Sequence, residues 1–154
     1  MNLRIIAAVL LAGFACTPAL AQTRQQIIRE RSTHVMPFSM DDTMHRFQPT
    51  PTGGVMTVIA HDGDATQVAL VRAHLRKEAA AFARGDYADP AYIHGKRMPG
   101  LAALSAGSRR ISVRYGAVSD GATIAFRTTD TSLITALHRW FAAQVSDHGH
   151  DAMM

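Results

Sequence analysis

ISVRYGAVSDGATIAFRTTDTSLITALHRWFAAQVS, residues 111–146, carries the fold in miniature. Two short strand-like runs, Ile111 to Val118 and Ala122 to Thr128, flank Ser119-Asp120-Gly121, and an Asp-Gly tip between such runs marks a tight hairpin. The period then changes. Leu133, Leu137, Trp140, Phe141 and Val145 recur at helical spacings, which predicts a helix from about Thr131 to Ser146.

The same order is found upstream. Val55 to Ala60 (VMTVIA) is a strand bounded by Gly53-Gly54 and Asp62-Gly63-Asp64, and the irregular stretch before it, His34 to Phe47, is expected to end in an edge strand. Asp64 or Thr66 then caps a helix from about Ala65 to Arg84, with Val68, Val71, Leu75, Ala79 and Phe82 on its apolar face and Gly85 as its stop. Val68, Val71, Leu75 and Ala79 align with Ile134, Leu137, Phe141 and Val145 at one constant offset. Two β-β-α units are therefore expected to pack as a single α+β domain over residues 34–146, an antiparallel sheet with both helices on one face. Between the units, Asp86 to Ser108 contains Pro90, Gly95, Pro99, Gly100 and Gly107, and is expected to be a long loop with one short helix at Leu101 to Ser105.

The ends read differently. Residues 1–21 have Arg4, an apolar run from Ile5 to Ala15, Pro18 and a small-x-small site at Ala19-Leu20-Ala21, the three-part order of a cleavable export signal. The apolar run is shorter than the ~20 residues that span a bilayer, and Gly13 and Phe14 are poor neighbours for lipid attachment at Cys16. The mature protein is thus expected in the periplasm or outside the cell, with no stable membrane insertion. Residues 22–33 (QTRQQIIRERST) suit a mobile arm or short helix and are expected to be poorly ordered, and the Asp/His/Met tract at 147–154 is expected to be a flexible tail.

Cleavage has a chemical consequence. It removes Cys16, the only cysteine, so disulfide scaffolds, thiolate metal sites and cysteine nucleophiles are excluded. One of the sixteen Lys and Arg residues, Arg4, leaves with the signal, and the remainder exceeds the twelve Asp and Glu by only three, too few to argue for nucleic acid. No Gly-x-Ser-x-Gly elbow, P-loop, Gly-rich dinucleotide motif or Cys-x-x-Cys-His is present, and the paired carboxylates Asp41-Asp42 and Asp62-x-Asp64 fall in turns.

What remains is imidazole and thioether. His34 and Met36 form His-x-Met, Met40 and Met44-His45 follow within ten residues, and His94 and Met98 sit in the Gly/Pro-rich region. Thioether favours Cu(I) and imidazole serves both copper states, so a Met/His set without thiol points to copper or another transition metal. Packed methionines and surface histidines are the plainer reading of the same residues. His74 and Glu78 stand one turn apart on the first long helix, within reach of a shared ion, though no His-Glu-x-x-His motif is present. His138 is expected to be a hydrogen-bonded boundary histidine.

The segments His34-x-Met36-Pro37-Phe38, His74-Leu75-x-x-Glu78-Ala79, Ile93-His94-Gly95-x-x-Met98-Pro99-Gly100-Leu101, and Leu137-His138-x-Trp140-Phe141 through Asp147-His148-Gly149 resemble a group of small exported proteobacterial proteins of poorly defined function. The group is often carried under the name aspartate carbamoyltransferase. That activity is not expected here, because the Ser-Thr-Arg-Thr carbamoyl-phosphate loop of the cytoplasmic enzyme is absent.

The leading expectation is a non-enzymatic periplasmic protein binding a transition metal, copper preferred, through His34, Met36, His94 and Met98, with His45, His74 and Glu78 as further ligands or supports. The alternative is a small ligand-binding or protein-interaction module without metal, holding an organic anion beside Arg72 and Arg76. A metal-dependent hydrolase using His74 and Glu78 ranks third.

Overall fold

Helix α1 (Arg24–Val35) opens the computed structural model, which describes residues 22–154; the export signal expected at 1–21 lies outside the described residues. The first unit follows as β1 (Thr43–Thr50), β2 (Gly53–Ala60) and α2 (Ala65–Ala83). Two short helices, α3 (Ala88–His94) and α4 (Leu101–Gly107), lead to the second unit of β3 (Ser112–Val118), β4 (Gly121–Arg127) and α5 (Thr131–His148). A two-residue strand, β5 (Ala152–Met153), ends the chain. None of the helices among the described residues is long and apolar enough to cross a membrane.

The long helices start where the sequence places an acceptor for their free N–H groups. The Asp64 carboxylate accepts from the backbone of Thr66 and Gln67, and that of Asp130 accepts from Ser132 and Leu133. Gly85, with φ of +80°, takes the chain out of α2 through a conformation that L side chains avoid.

The strands are ordered β3-β4-β2-β1-β5, and β2 against β4 joins the two units. The four long strands are antiparallel, but β5 lies parallel to β1, with His45 opposite Ala152, so the α+β sheet is mixed rather than purely antiparallel as expected. It also makes β1 an inner strand along that stretch. Both long helices cover one face, α2 chiefly over β3 and β4 and α5 over β1 and β2, so each unit's helix packs on the other unit's hairpin. Between them Trp140 is completely buried, edge-on to Phe82, Tyr87 and Phe126.

Three segments expected to be loose are built into the fold. Residues 22–33 supply most of α1, started by a capping box in which the Thr23 side chain accepts from Gln26 N–H and the Gln26 side chain accepts from Thr23 N–H. Its packing is spare, with only Ile28 and Ser32 buried, and ion pairs make up the rest: Arg24 binds Asp147, and Arg29 binds Asp41 and Asp151. The 147–154 tract completes α5 and then pairs as β5. Residues 86–108 hold two helices rather than one, because Asp86 accepts from Ala88 N–H to start α3, and Leu101 and Leu104 bury one face of α4.

Candidate functional site

An internal cavity of about 50 Å³ lies between α2, α3, α5 and the inner face of β1. Its walls are apolar: Phe38, Phe47, Met56, Val58, Leu75, Phe82 and Trp140. Six titratable groups line it from four elements: His45 from β1, His74 and Glu78 from α2, Asp89 and His94 from α3, and His148 from the last turn of α5. Met36 reaches it from the residue after α1.

The local pattern explains how each side chain gets there. His45 alternates with Thr43 and Phe47 on the buried face of β1. Glu78 continues the stripe of Val71 and Leu75, so α2 aims its carboxyl inward. On α5, Asp147 and His148 extend the buried line of Leu137, Trp140, Phe141 and Gln144.

Two imidazoles, His45 and His94, each contact a third, His148. The His45 and His148 ring centroids are 5.4 Å apart with planes 6° from parallel, and His94 meets His148 edge-on at 5.0 Å. His74 stands across Phe38, whose ring is 5.6 Å from that of His74 and 5.9 Å from that of His45. Behind His94, the Asp147 carboxylate lies 2.8 Å from Nδ1 and is itself gripped by Arg24 at 2.6 Å. Arg24 also donates to the His94 carbonyl, which ties α1 to the back of the site.

Burial keeps these rings neutral. It is the main cause that drives His45 down to about 4, helped by nearby His74 and opposed by the Asp151 backbone. His74 falls to about 4 by burial and then Lys77, and His148 to about 2 by burial and then His45 and His94. Burial also lowers His94, with Asp147 working against it. The Asp147 carboxyl is pushed up by burial but held below its ordinary value by hydrogen bonds from Arg24 and His94. Neutral His94 therefore donates its Nδ1 proton to ionised Asp147, which leaves Nε2 with a free lone pair. Glu78 goes the other way, raised to about 7 by burial and then by Asp89.

Several buried polar atoms make no hydrogen bond within the protein: His45 Nδ1, Gln144 Oε1 and Trp140 Nε1, while Glu78 Oε1 has only Lys77 Nζ, 3.6 Å away. An unpartnered buried polar group costs on the order of 1–3 kcal/mol, so each is a position where a bound donor or acceptor would be stabilised.

The acid sensitivity of the metal-free protein follows from these shifts. Between pH 6.5 and about 4 the unfolded chain takes up protons at His45 and His74 that the folded protein refuses, so stability falls as pH falls through that window. Glu78 opposes this, since its folded form holds a proton between 4.5 and about 7 and its contribution is lost as pH rises. The imidazoles outnumber it. Urea midpoints are expected to drop clearly from pH 7.5 to pH 4.5, and a flat or rising profile would contradict the burial of these rings.

Of the residues expected as ligands, Met36, His45, His74, Glu78 and His94 line this cavity together. His34 does not; it is exposed on α1 beside Glu30, Arg31 and Tyr92. Nor does Met98, which is 5% exposed in the apolar core and serves packing. The partners proposed for an organic anion are also elsewhere. Arg72 donates to the carbonyls of Val118, Ser119 and Gly121 at the β3–β4 turn, and Arg76 lies 4.8 Å over the Tyr115 ring. His138 holds the β1–β2 connection, its Nε2 donating to Gly53 O at 2.8 Å. His148 and Asp147 fall in a tract read as a loose tail whose Asp/His/Met composition suggested weak chelation at most; the signal for their burial was that both continue the three-and-four spacing of the α5 face.

Among the described residues, no three His, Asp or Glu side chains converge on one point as a finished metal site. No family model, curated protein or solved structure matches this chain.

Proposed function

We propose that this protein is an exported, non-enzymatic binder of a transition metal, copper preferred, and that His45, His94 and His148 are its imidazole donors, with Met36 as the thioether beside them. The single observation that carries the reading is the cluster of three buried, neutral imidazoles around His148. At metal–nitrogen bonds of about 2.0 Å, two imidazoles on one tetrahedral ion have ring centroids about 5 Å apart. The observed separations are 5.0 and 5.4 Å, and binding requires the stacked His45 and His148 rings to turn until their in-plane lone pairs meet at the ion.

Two features add support. The carboxylate behind His94 is the arrangement that orients a ligating imidazole and raises its basicity. The thioether and the absence of any thiol after signal cleavage favour copper over zinc. His74 and Glu78, on the far side of Phe38 from His148, support the cavity wall.

The chain contains its own reporter. Trp140 is the only tryptophan and it lines the cavity. One equivalent of Cu(II) is expected to quench most of its fluorescence, with Zn(II) producing no comparable loss, and Cu(I) is expected to be held against a competing chelator. No quenching by stoichiometric Cu(II) together with no retention of Cu(I) sinks the proposal.

A second reading is favoured by the unpartnered His45, Gln144 and Trp140 groups: a small neutral organic ligand hydrogen-bonded among apolar walls. A gain in thermal stability with such a molecule and none with copper would select it.

A further inference from the structure

A second cavity, of about 170 Å³, opens between the first turns of α1 and the end of the chain, lined by Thr23, Gln25, Gln26, Ile28, Arg29, His148, His150 and Asp151. His148 is the one residue that lines both this cavity and the inner one. Its ring nitrogens make no hydrogen bond among the described residues. The chain bends sharply at Gly149, with φ of +60°, which turns His148 inward and leaves the next side chain, His150, 87% exposed.

The two sides repeat one chemistry. His150 Nε2 lies 3.2 Å from the Asp151 carboxylate, and Asp151 is held by Arg29 at 2.7 Å, just as His94 faces Asp147 and Asp147 is held by Arg24. The segment Asp147-His148-Gly149-His150-Asp151 thus supplies the carboxylate of the buried pair, Asp147 beside His94 of α3, and the whole of the solvent-facing pair, His150 with Asp151, with His148 between them.

We infer that this C-terminal segment is the loading port of the metal site: His150, oriented by Asp151, takes the ion from solution, and His148 passes it from the outer cavity to His94 and His45. The inference rests on the metal-binding reading. The transfer is a ligand exchange in which the bond to His150 breaks as the bond to His148 forms, with no change in oxidation state. His34, the other exposed histidine near α1, lines neither cavity.

A port has a kinetic signature that a ligand lacks. Because His150 is not bound to the ion in the loaded state, removing it raises the barrier equally in both directions. Stopped-flow mixing of the full mature protein with Cu(II), read by Trp140 quenching, and release into excess chelator are the measurements. His150→Ala is expected to slow both loading and release at least about tenfold, with affinity unchanged within about twofold. His61→Ala, which removes an exposed histidine elsewhere, is expected to change neither rate. Unchanged rates in His150→Ala, or an affinity loss with faster release, overturn the port; absence of quenching in the parent protein overturns the metal reading and the port together.

Discussion

Replacing both His94 and His148 by alanine is expected to weaken copper binding at least about 100-fold. Loss of a residue that merely orients a ligating imidazole costs roughly 10–100-fold in affinity, so loss of two donors is expected to cost no less. The two rings come from α3 and α5 with centroids 5.0 Å apart, and His148 also stacks on His45, so it is the imidazole that contacts both of the others. Asp147→Asn is expected to fall within the 10–100-fold range, because it removes the charge that fixes the His94 tautomer while leaving both rings in place. His34→Ala is expected to change nothing, since His34 is exposed on α1 outside the cavity. Chelator competition with Cu(I), alongside circular dichroism to verify folding, measures all three. The glutamine versions, His94→Gln and His148→Gln, keep much of the volume should the alanine pair fail to fold. Full affinity in a folded double variant would remove the copper proposal.

Phe126→Ala is expected to be the most damaging substitution away from the site, at about 3–5 kcal/mol. Phe126 is 1% exposed on the inner face of β4, with Phe82, Trp140 and Phe141 all within 6.1 Å centroid to centroid. Those rings belong to both long helices, so the lost contacts cannot be recovered by shifting one element. Against a total stability of roughly 5–15 kcal/mol the loss is a large fraction, and the melting temperature is expected to fall by on the order of 10–20 °C. Tyr92→Ala, at a side chain 52% exposed on α3, is expected to stay within about 0.5 kcal/mol. Thermal unfolding of both variants at pH 7.5 tests the contrast. Equal melting temperatures would mean that Phe126 is not at the centre of the core.

The parts of the fold that were legible are those encoded locally. The Asp-Gly tip at 120–121, the Asp64 and Asp130 caps and the spacing of apolar residues from Val68 to Phe82 and Leu133 to Val145 each sit within one element. They place β2 to β4 and both long helices close to where they are found. The candidate site was legible in its palette. Met36, His45, His74, Glu78 and His94 were picked out by residue type, whereas His34 and Met98 were equally plausible by type and lie elsewhere. His34 is on the outward side of a helix, and Met98 fills the core beside Leu101.

The misread segments share a cause. Residues 22–33 look too polar to fold, and on apolar burial alone they would be marginal, with one well-buried isoleucine. α1 packs against α3 and α5 and is tied to them by its arginines, Arg24 to Asp147 and the His94 carbonyl, Arg31 to the Ile93 carbonyl and Arg29 to Asp151, all far along the chain. The pairs with Asp147 and Asp151 anchor the tract that ends the chain, and β5 then pairs with β1. Neither end shows its partner in its own composition, so each reads as loose when taken alone.

By itself the sequence determined the two β-β-α units and restricted any soft metal donor in residues 22–154 to imidazole and thioether, because periodicity, capping and residue type are properties of neighbouring positions. Tertiary structure alone decided that α2 and α5 cross to cover each other's hairpins and that His45, His94 and His148 meet. It also decided that these rings stay neutral. Desolvation and ring-to-ring distance depend on what the rest of the chain brings around a side chain, and no local pattern records that.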